Sequence, residues 1–171
     1  MAMLIAPPRP ATAPDAETIG TIHVEAWIES YSGVVPMRYL ASLDPVEQAK
    51  RWHKRIVAGG LSIVLSGEEG FACAGPMRNA DLARMGYGTE LHALYVVRAA
   101  QGMGLGRDLM QAALAPYDGP FALWVLARND KAIRFYERLG GKPIAEGRFE
   151  LGGEMLDEHA FGWEDTSGIL N

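Results

Sequence analysis

Apolar positions recur along this chain with two periods, and each change of period marks a new element. From Pro14 onward, Ile19, Ile22, His23, Ala26 and Trp27 return at helical spacing. That predicts a helix running to about Ser30, opened by Pro14 with Asp15 and Glu17 in its first turn. Gly33-Val34-Val35-Pro36 breaks it. A short helix over Met37 to Ser42 follows, and Asp44-Pro45 opens a third from Val46 to about Ala58. The pattern then turns to strands. Leu61–Leu65 and Phe71–Gly75 form a predicted hairpin about Gly67-Glu68-Glu69-Gly70. Prolines at 7, 8 and 10 restrict Leu4–Arg9 to an edge strand. Asn79–Gly88 is expected to be a loop.

Further on, a mostly apolar strand from Glu90 to Val97 leads into a helix over 104–115, its buried stripe Leu105, Leu109, Ala112 and Ala113. Phe121–Leu126 has the apolar run of a buried strand. Asn129 or Asp130 caps a helix bearing Ala132, Ile133, Phe135, Tyr136 and Leu139, which Gly140-Gly141 stops. Two closing strands are expected at about Lys142–Phe149 and Glu154–Trp163, joined by Gly152-Gly153, with 164–171 a loose tail. A βαβ unit over 89–126 with hairpins on either side is an α/β mixed sheet, in one domain over residues 3–163.

Composition narrows the function. With 49% hydrophobic and 22% charged residues, the chain matches ordinary globular proteins. A net charge of −5 argues against nucleic acid and suits a cationic substrate. A single cysteine excludes an internal disulfide. The opening residues have neither the basic end nor the long apolar core of a signal peptide. No run approaches the roughly 20 apolar residues that span a bilayer, so no membrane association is expected and the cytoplasm is the default location.

The chemistry centres on the segment Gln101-Gly102-Met103-Gly104-Leu105-Gly106-Arg107. Glycine costs roughly 1 kcal/mol inside a helix, so three at a helix mouth point to close approach of the backbone to a ligand. Free N–H groups and the positive end of the helix dipole suit a phosphate there. The Walker pattern fails, because Gly106-Arg107-Asp108 stands where Gly-Lys-Ser/Thr is needed. The dinucleotide fingerprint fails from both starts, with Arg107 or Leu109 at its sixth position. What remains is Gln101-x-x-Gly104-x-Gly106.

With the strand Leu94-Tyr95-Val96 before it, this segment resembles the acetyl-CoA motif of the GNAT superfamily of N-acetyltransferases. Asp15 to Trp27, with Trp52 beyond, is similar to that family's first helices. Arg128 to Gly140, carrying Asn129, Ala132, Phe135, Tyr136, Leu139 and Gly140 in the pattern N-x-x-A-x-x-F-Y-x-x-L-G, is similar to its second motif. The resemblance covers about residues 3–163. It implies the acyl-CoA N-acyltransferase fold: a mixed, mostly antiparallel twisted sheet flanked by helices, with a splayed central strand pair. Two positions depart from the pattern. Arg98 stands where the family often has Pro, and Gly141 where it often has Phe, which would loosen packing at the start of the next strand.

The resemblance implies acetyl-CoA as cofactor and a small-molecule or peptide amine as acceptor. The backbone of Leu94, Tyr95 and Val96 would pair with the pantetheine arm, and one of its N–H groups would polarise the thioester carbonyl. Gln101, Gly102, Met103, Gly104, Leu105, Gly106 and Arg107 would cradle the pyrophosphate. Asn129 would touch the cofactor, cap the helix, or both. Tyr136 would protonate the departing thiolate, against the alternative of a core tyrosine. Glu90, eleven residues before Gln101, is the expected base, with His92 or a water relay as the other routes. Trp27 and Tyr31, with the Gly33–Pro36 turn, Met85 and Tyr87, would wall the acceptor. Cys73 is expected to be packing only. The histidines at 23, 53, 92 and 159 show no metal-ligand spacing. Strand edges of this fold often pair between subunits, so a homodimer is compatible. A CoA-binding sensor or inactive homologue is the other reading.

Overall fold

The splayed strand pair is visible in the hydrogen-bond register of the sheet. The structure is a computed structural model that describes residues 3–170. Among them run β1 (Arg9–Pro10), α1 (Ala16–Tyr31), α2 (Met37–Ser42), α3 (Pro45–Ala58), β2 (Ser62–Ser66), β3 (Gly70–Pro76) and α4 (Ala80–Arg84). They are followed by β4 (Thr89–Val96), α5 (Leu105–Leu114), β5 (Phe121–Leu126), α6 (Asp130–Arg138), β6 (Lys142–Leu151), β7 (Glu154–Trp163) and α7 (Ser167–Leu170). The seven strands lie in the order β1-β2-β3-β4-β5-β7-β6. All neighbours are antiparallel except β4 and β5, which pair in parallel only at Thr89↔Phe121 and Glu90↔Ala122. From Leu91 onward that edge of β4 has no strand partner among the described residues.

Alternation along β3 explains how the helices are distributed. Phe71 meets Trp52 of α3 at 4.9 Å between ring centroids and His23 of α1 at 6.4 Å. A Cβ at its neighbour Gly70 would instead lie 2.9 Å from Leu109 of α5. So α1 and α3 cover one face and α5 the other. The α1–α3 crossing is close enough that a Cβ at Gly20 would lie 2.5 Å from the Pro45 carbonyl oxygen.

Four expectations change. The edge strand is only Arg9–Pro10, anchored where Arg9 pairs with Asp15 at 2.8 Å and Ala11 donates to Ile63. The loop at 79–88 contains α4, whose N-cap Asn79 accepts from the amides of Asp81 and Leu82 at 3.0 Å while Leu82 is buried. The described part of the tail, 164–170, is not loose. Ile169 is fully buried and its carbonyl accepts from Arg107 Nε at 2.7 Å and from Gln111. Gly141 does not loosen its strand either, because the Trp163 ring occupies the space: a Cβ there would lie 2.5 Å from Trp163 Cζ2.

His23 is a core histidine. Trp52 Nε1 donates to its Nδ1 at 3.0 Å, and burial, reinforced by Arg55 and Arg51, lowers its pKa to about 4. The unfolded chain therefore takes up this proton near pH 6.5 while the folded chain refuses it until about pH 4. His23 thus favours the fold fully above pH 6.5, and that advantage drains away as pH falls toward 4, by about 2–3 kcal/mol. Urea melts from pH 7.5 to 4.5 should show this slope. His23→Asn keeps an acceptor for Trp52 without a titrating group and should flatten it.

Candidate active site

A cavity of about 730 Å³ opens where β4 and β5 diverge. Four elements place the expected residues on its wall. α1 brings Trp27 and Tyr31; β4 brings Leu94, Tyr95 and Val96; the loop into α5 brings Gln101, Gly102, Gly104, Gly106 and Arg107; α6 brings Asn129 and Tyr136. Met103 and Leu105 have no side chain on that wall, Leu105 being buried in the core and Met103 exposed.

The glycine loop is built as a cradle. Gly102 and Gly104 have φ of 78° and 84°, the left-handed region that glycine tolerates, and a Cβ at either would meet nothing within 4 Å. The first helical bond runs from Asp108 N to Gly104 O at 3.1 Å, so the amides of Leu105, Gly106 and Arg107 have no partner within α5. Gly106 has a different task. A Cβ there would lie 3.1 Å from Phe135, so this glycine lets α5 and α6 approach. Gln101 donates to the Val96 carbonyl at 2.9 Å and receives Lys131, which lines the cavity beside Arg107. Open amides at a helix mouth with two cations fit a pyrophosphate, and the unpaired edge of β4 fits an extended amide chain. Arg98, where the family pattern has Pro, donates its amide and its guanidinium to Glu29 at 2.7 Å each and ties the end of α1 to this loop.

Tyr136 is buried at the cavity wall, and its hydroxyl makes no hydrogen bond among the described residues. Burial raises its pKa above the ordinary tyrosine range, as it does for Tyr95. Tyr31 is pushed to about 12 by burial, opposed by a hydrogen bond with Asn129. Asn129 also accepts from the Ala132 amide at 3.3 Å, so it caps α6 and lines the cavity at once. Trp27 packs edge-on to Tyr31 at 4.6 Å.

The expected base is not on the wall. Glu90 is buried and receives Arg78 through its amide at 3.1 Å, Nε at 3.3 Å and Nη2 at 2.5 Å. The reason is a register shift. Ala93 pairs with Cys73 and Leu91 with Ala74, which leaves His92 as an extra residue, so simple alternation does not carry from Glu90 to Leu94. His92 does line the cavity. Its Nε2 lies 3.1 Å from the Pro76 carbonyl oxygen, which can only accept, so Nε2 carries the proton and Nδ1 keeps its lone pair. Burial lowers the His92 pKa, with the Pro76 carbonyl opposing. Met85 and Tyr87 do not line the cavity; Met85 is exposed and Tyr87 packs over Gly162. Residues not anticipated on the wall include Arg78, Trp124, Lys131, Arg138, Phe149 and Glu158. No metal-binding group of His, Cys, Asp or Glu occurs among the described residues. No helix among them is long and apolar enough to cross a membrane.

Residues 24–141 match the model of the acetyltransferase (GNAT) family. The chain belongs to this family. Among GNAT relatives, the uncharacterized N-acetyltransferase YuaI of Bacillus subtilis is 31% identical over 170 residues, covering 94% of each chain. A probable N-acetyltransferase of Mycobacterium tuberculosis is 26% identical over 167 residues, covering 94% of this chain and 86% of its own. The GNAT fold is shared with the PaiA N-acetyltransferase of Thermoplasma acidophilum in complex with coenzyme A, at a TM-score of 0.68 and 19% identity over 91% of this chain and 98% of that one. It is shared too with the acetyltransferase yncA of Salmonella typhimurium with its cofactor acetyl-CoA, at a TM-score of 0.65 and 22% identity over 94% and 93%.

Proposed function

We propose that this N-acetyltransferase moves the acetyl group of acetyl-CoA to a primary amine of a small molecule or peptide, by direct attack with both reactants bound. One observation carries the reading: a single cavity joins the glycine cradle, the open edge of β4, Tyr136 and His92. Two reactants held in it meet with their translational freedom already spent, a large part of the rate in such reactions.

Bound there, acetyl-CoA supplies an acyl group activated as a thioester. The amides of Leu105, Gly106 and Arg107, with Lys131, would hold its pyrophosphate, while the Leu94–Val96 edge would orient its arm and offer an N–H to the carbonyl. Tyr136 holds its proton at all physiological pH and delivers it to the leaving sulfur. Nδ1 of His92 takes the proton of the amine, a role we assign to His92 in place of Glu90, whose oxygens are occupied by Arg78. Cys73 is buried off the cavity wall, and burial pushes its thiol up to about 11, which speaks against an acyl-cysteine route.

The pH profile tests the base. Because the folded His92 pKa is lowered, kcat/KM should fall only at pH below the ordinary histidine value of 6.5, as Nδ1 protonates. His92→Gln should lower kcat by about 100-fold and remove that acid limb. An acid limb that survives in His92→Gln and disappears in Glu90→Gln would return the role to Glu90.

A further inference from the structure

Charge is divided unevenly along the cavity. At the glycine loop stand Arg107 and Lys131, with Arg138 two turns along α6 from Lys131. At the β5–β7 side the only acid on the wall, among the described residues, is Glu158. Arg78 also reaches the wall, but its charge is taken up by Glu90. The Glu158 carboxylate makes no hydrogen bond or ion pair among the described residues.

The setting of Glu158 is specific. It lies on β7 opposite Leu126 of β5 and Gly147 of β6. Over Gly147, the edge of the Trp124 ring and the Glu158 carboxylate converge: a Cβ at Gly147 would lie 3.1 Å from Trp124 Cζ3 and 3.5 Å from Glu158 Oε1. Glycine at 147 keeps that corner open. Phe149, also on the wall, adds a second aromatic on β6. An unpaired carboxylate beside aromatic rings is the chemistry that holds an ammonium ion. The attacking nitrogen must be neutral when it reacts, so a carboxylate on the wall that pairs with an ammonium ion serves a different nitrogen.

Resting on the acetyltransferase reading above, we propose that Glu158, with Trp124 beside it, determines acceptor specificity by binding a second positive charge, so that the acceptor is a diamine or polyamine. The setting favours such a partner. Burial and then the nearby Glu90 raise the pKa of the bare carboxylate, a cost that a cation relieves.

The test compares 1,4-diaminobutane with n-butylamine in wild type, Glu158→Gln and Glu158→Asp. Wild type should favour the diamine in kcat/KM by about tenfold. Glu158→Gln should raise KM for the diamine by about that factor, with kcat and the KM values for n-butylamine and acetyl-CoA little changed, and Glu158→Asp should restore part of the preference. Equal KM for the two amines in wild type, or a preference untouched by Glu158→Gln, overturns the proposal. So does a fall in kcat with both amines, which would make Glu158 a proton acceptor. Should neither amine be acetylated, calorimetry with the CoA-saturated protein decides separately. Diamine binding that weakens in Glu158→Gln upholds the cation site and places the failure in the transfer reading, and an absence of diamine binding overturns the site.

Discussion

Tyr136→Phe should lower kcat by about 100- to 1,000-fold and leave CoA affinity within a few-fold. The variant removes one hydroxyl and keeps the ring. That ring is fixed by Phe135 at 5.3 Å and by Trp163, which meets it edge-on at 6.2 Å, so the phenylalanine should occupy the same place. The hydroxyl bonds to nothing among the described residues, and burial keeps it protonated, so its loss should cost the fold little. A tyrosine serving only the core predicts the opposite result: turnover unchanged, with any effect confined to stability. Free-thiol release for kcat and calorimetry for CoA affinity separate the two. The expected fall corresponds to about 3–4 kcal/mol of lost transition-state stabilisation.

Trp163→Ala should destabilise the fold by about 3–5 kcal/mol in urea melts, the range for removing a large buried aromatic. Trp163 is stacked on Phe121 at 4.8 Å with 7° between the planes, and its Nε1 donates to the Leu139 carbonyl at 3.0 Å. It also fills the space above Gly141, which makes the two positions interdependent. Gly141→Ala alone overpacks against the ring and should cost about 1–3 kcal/mol. In the Trp163→Ala background, with the indole gone, the same change should cost less, a coupling that a double-mutant cycle measures directly. Because Trp163 braces Tyr136, Trp163→Ala should also reduce turnover at temperatures where it remains folded.

Most of the architecture was readable because long elements carry clear periods. Ala16–Tyr31 and Pro45–Ala58 fall within a residue or two of where the apolar pattern puts them, and the failed phosphate fingerprints leave one glycine pattern, matched by a second motif 28 residues later. Short elements escaped. α4, at five residues, is too brief to show a period, and its one local signal was Asn79, a good N-cap. Register escaped as well. The extra residue at His92 has no mark in the sequence, yet it decides that Glu90 meets Arg78 while His92 reaches the cavity. Gly106 carries a second constraint that the motif does not show, the approach of Phe135. Glu158 sits in the polar run Asp157-Glu158-His159, where composition cannot say which side chain faces a cavity formed by distant strands. Local pattern thus points to the glycine loop, whereas the β5–β7 side of the cavity depends on tertiary placement.

Acetyl transfer is tested most directly by incubating the protein with acetyl-CoA and a panel of primary amines, following free CoA thiol and product mass together. Thiol should appear in step with an amine that has gained one acetyl group, at a rate that collapses in Tyr136→Phe. CoA binding with no acetylated product from any amine in the panel would contradict it and favour a cofactor sensor.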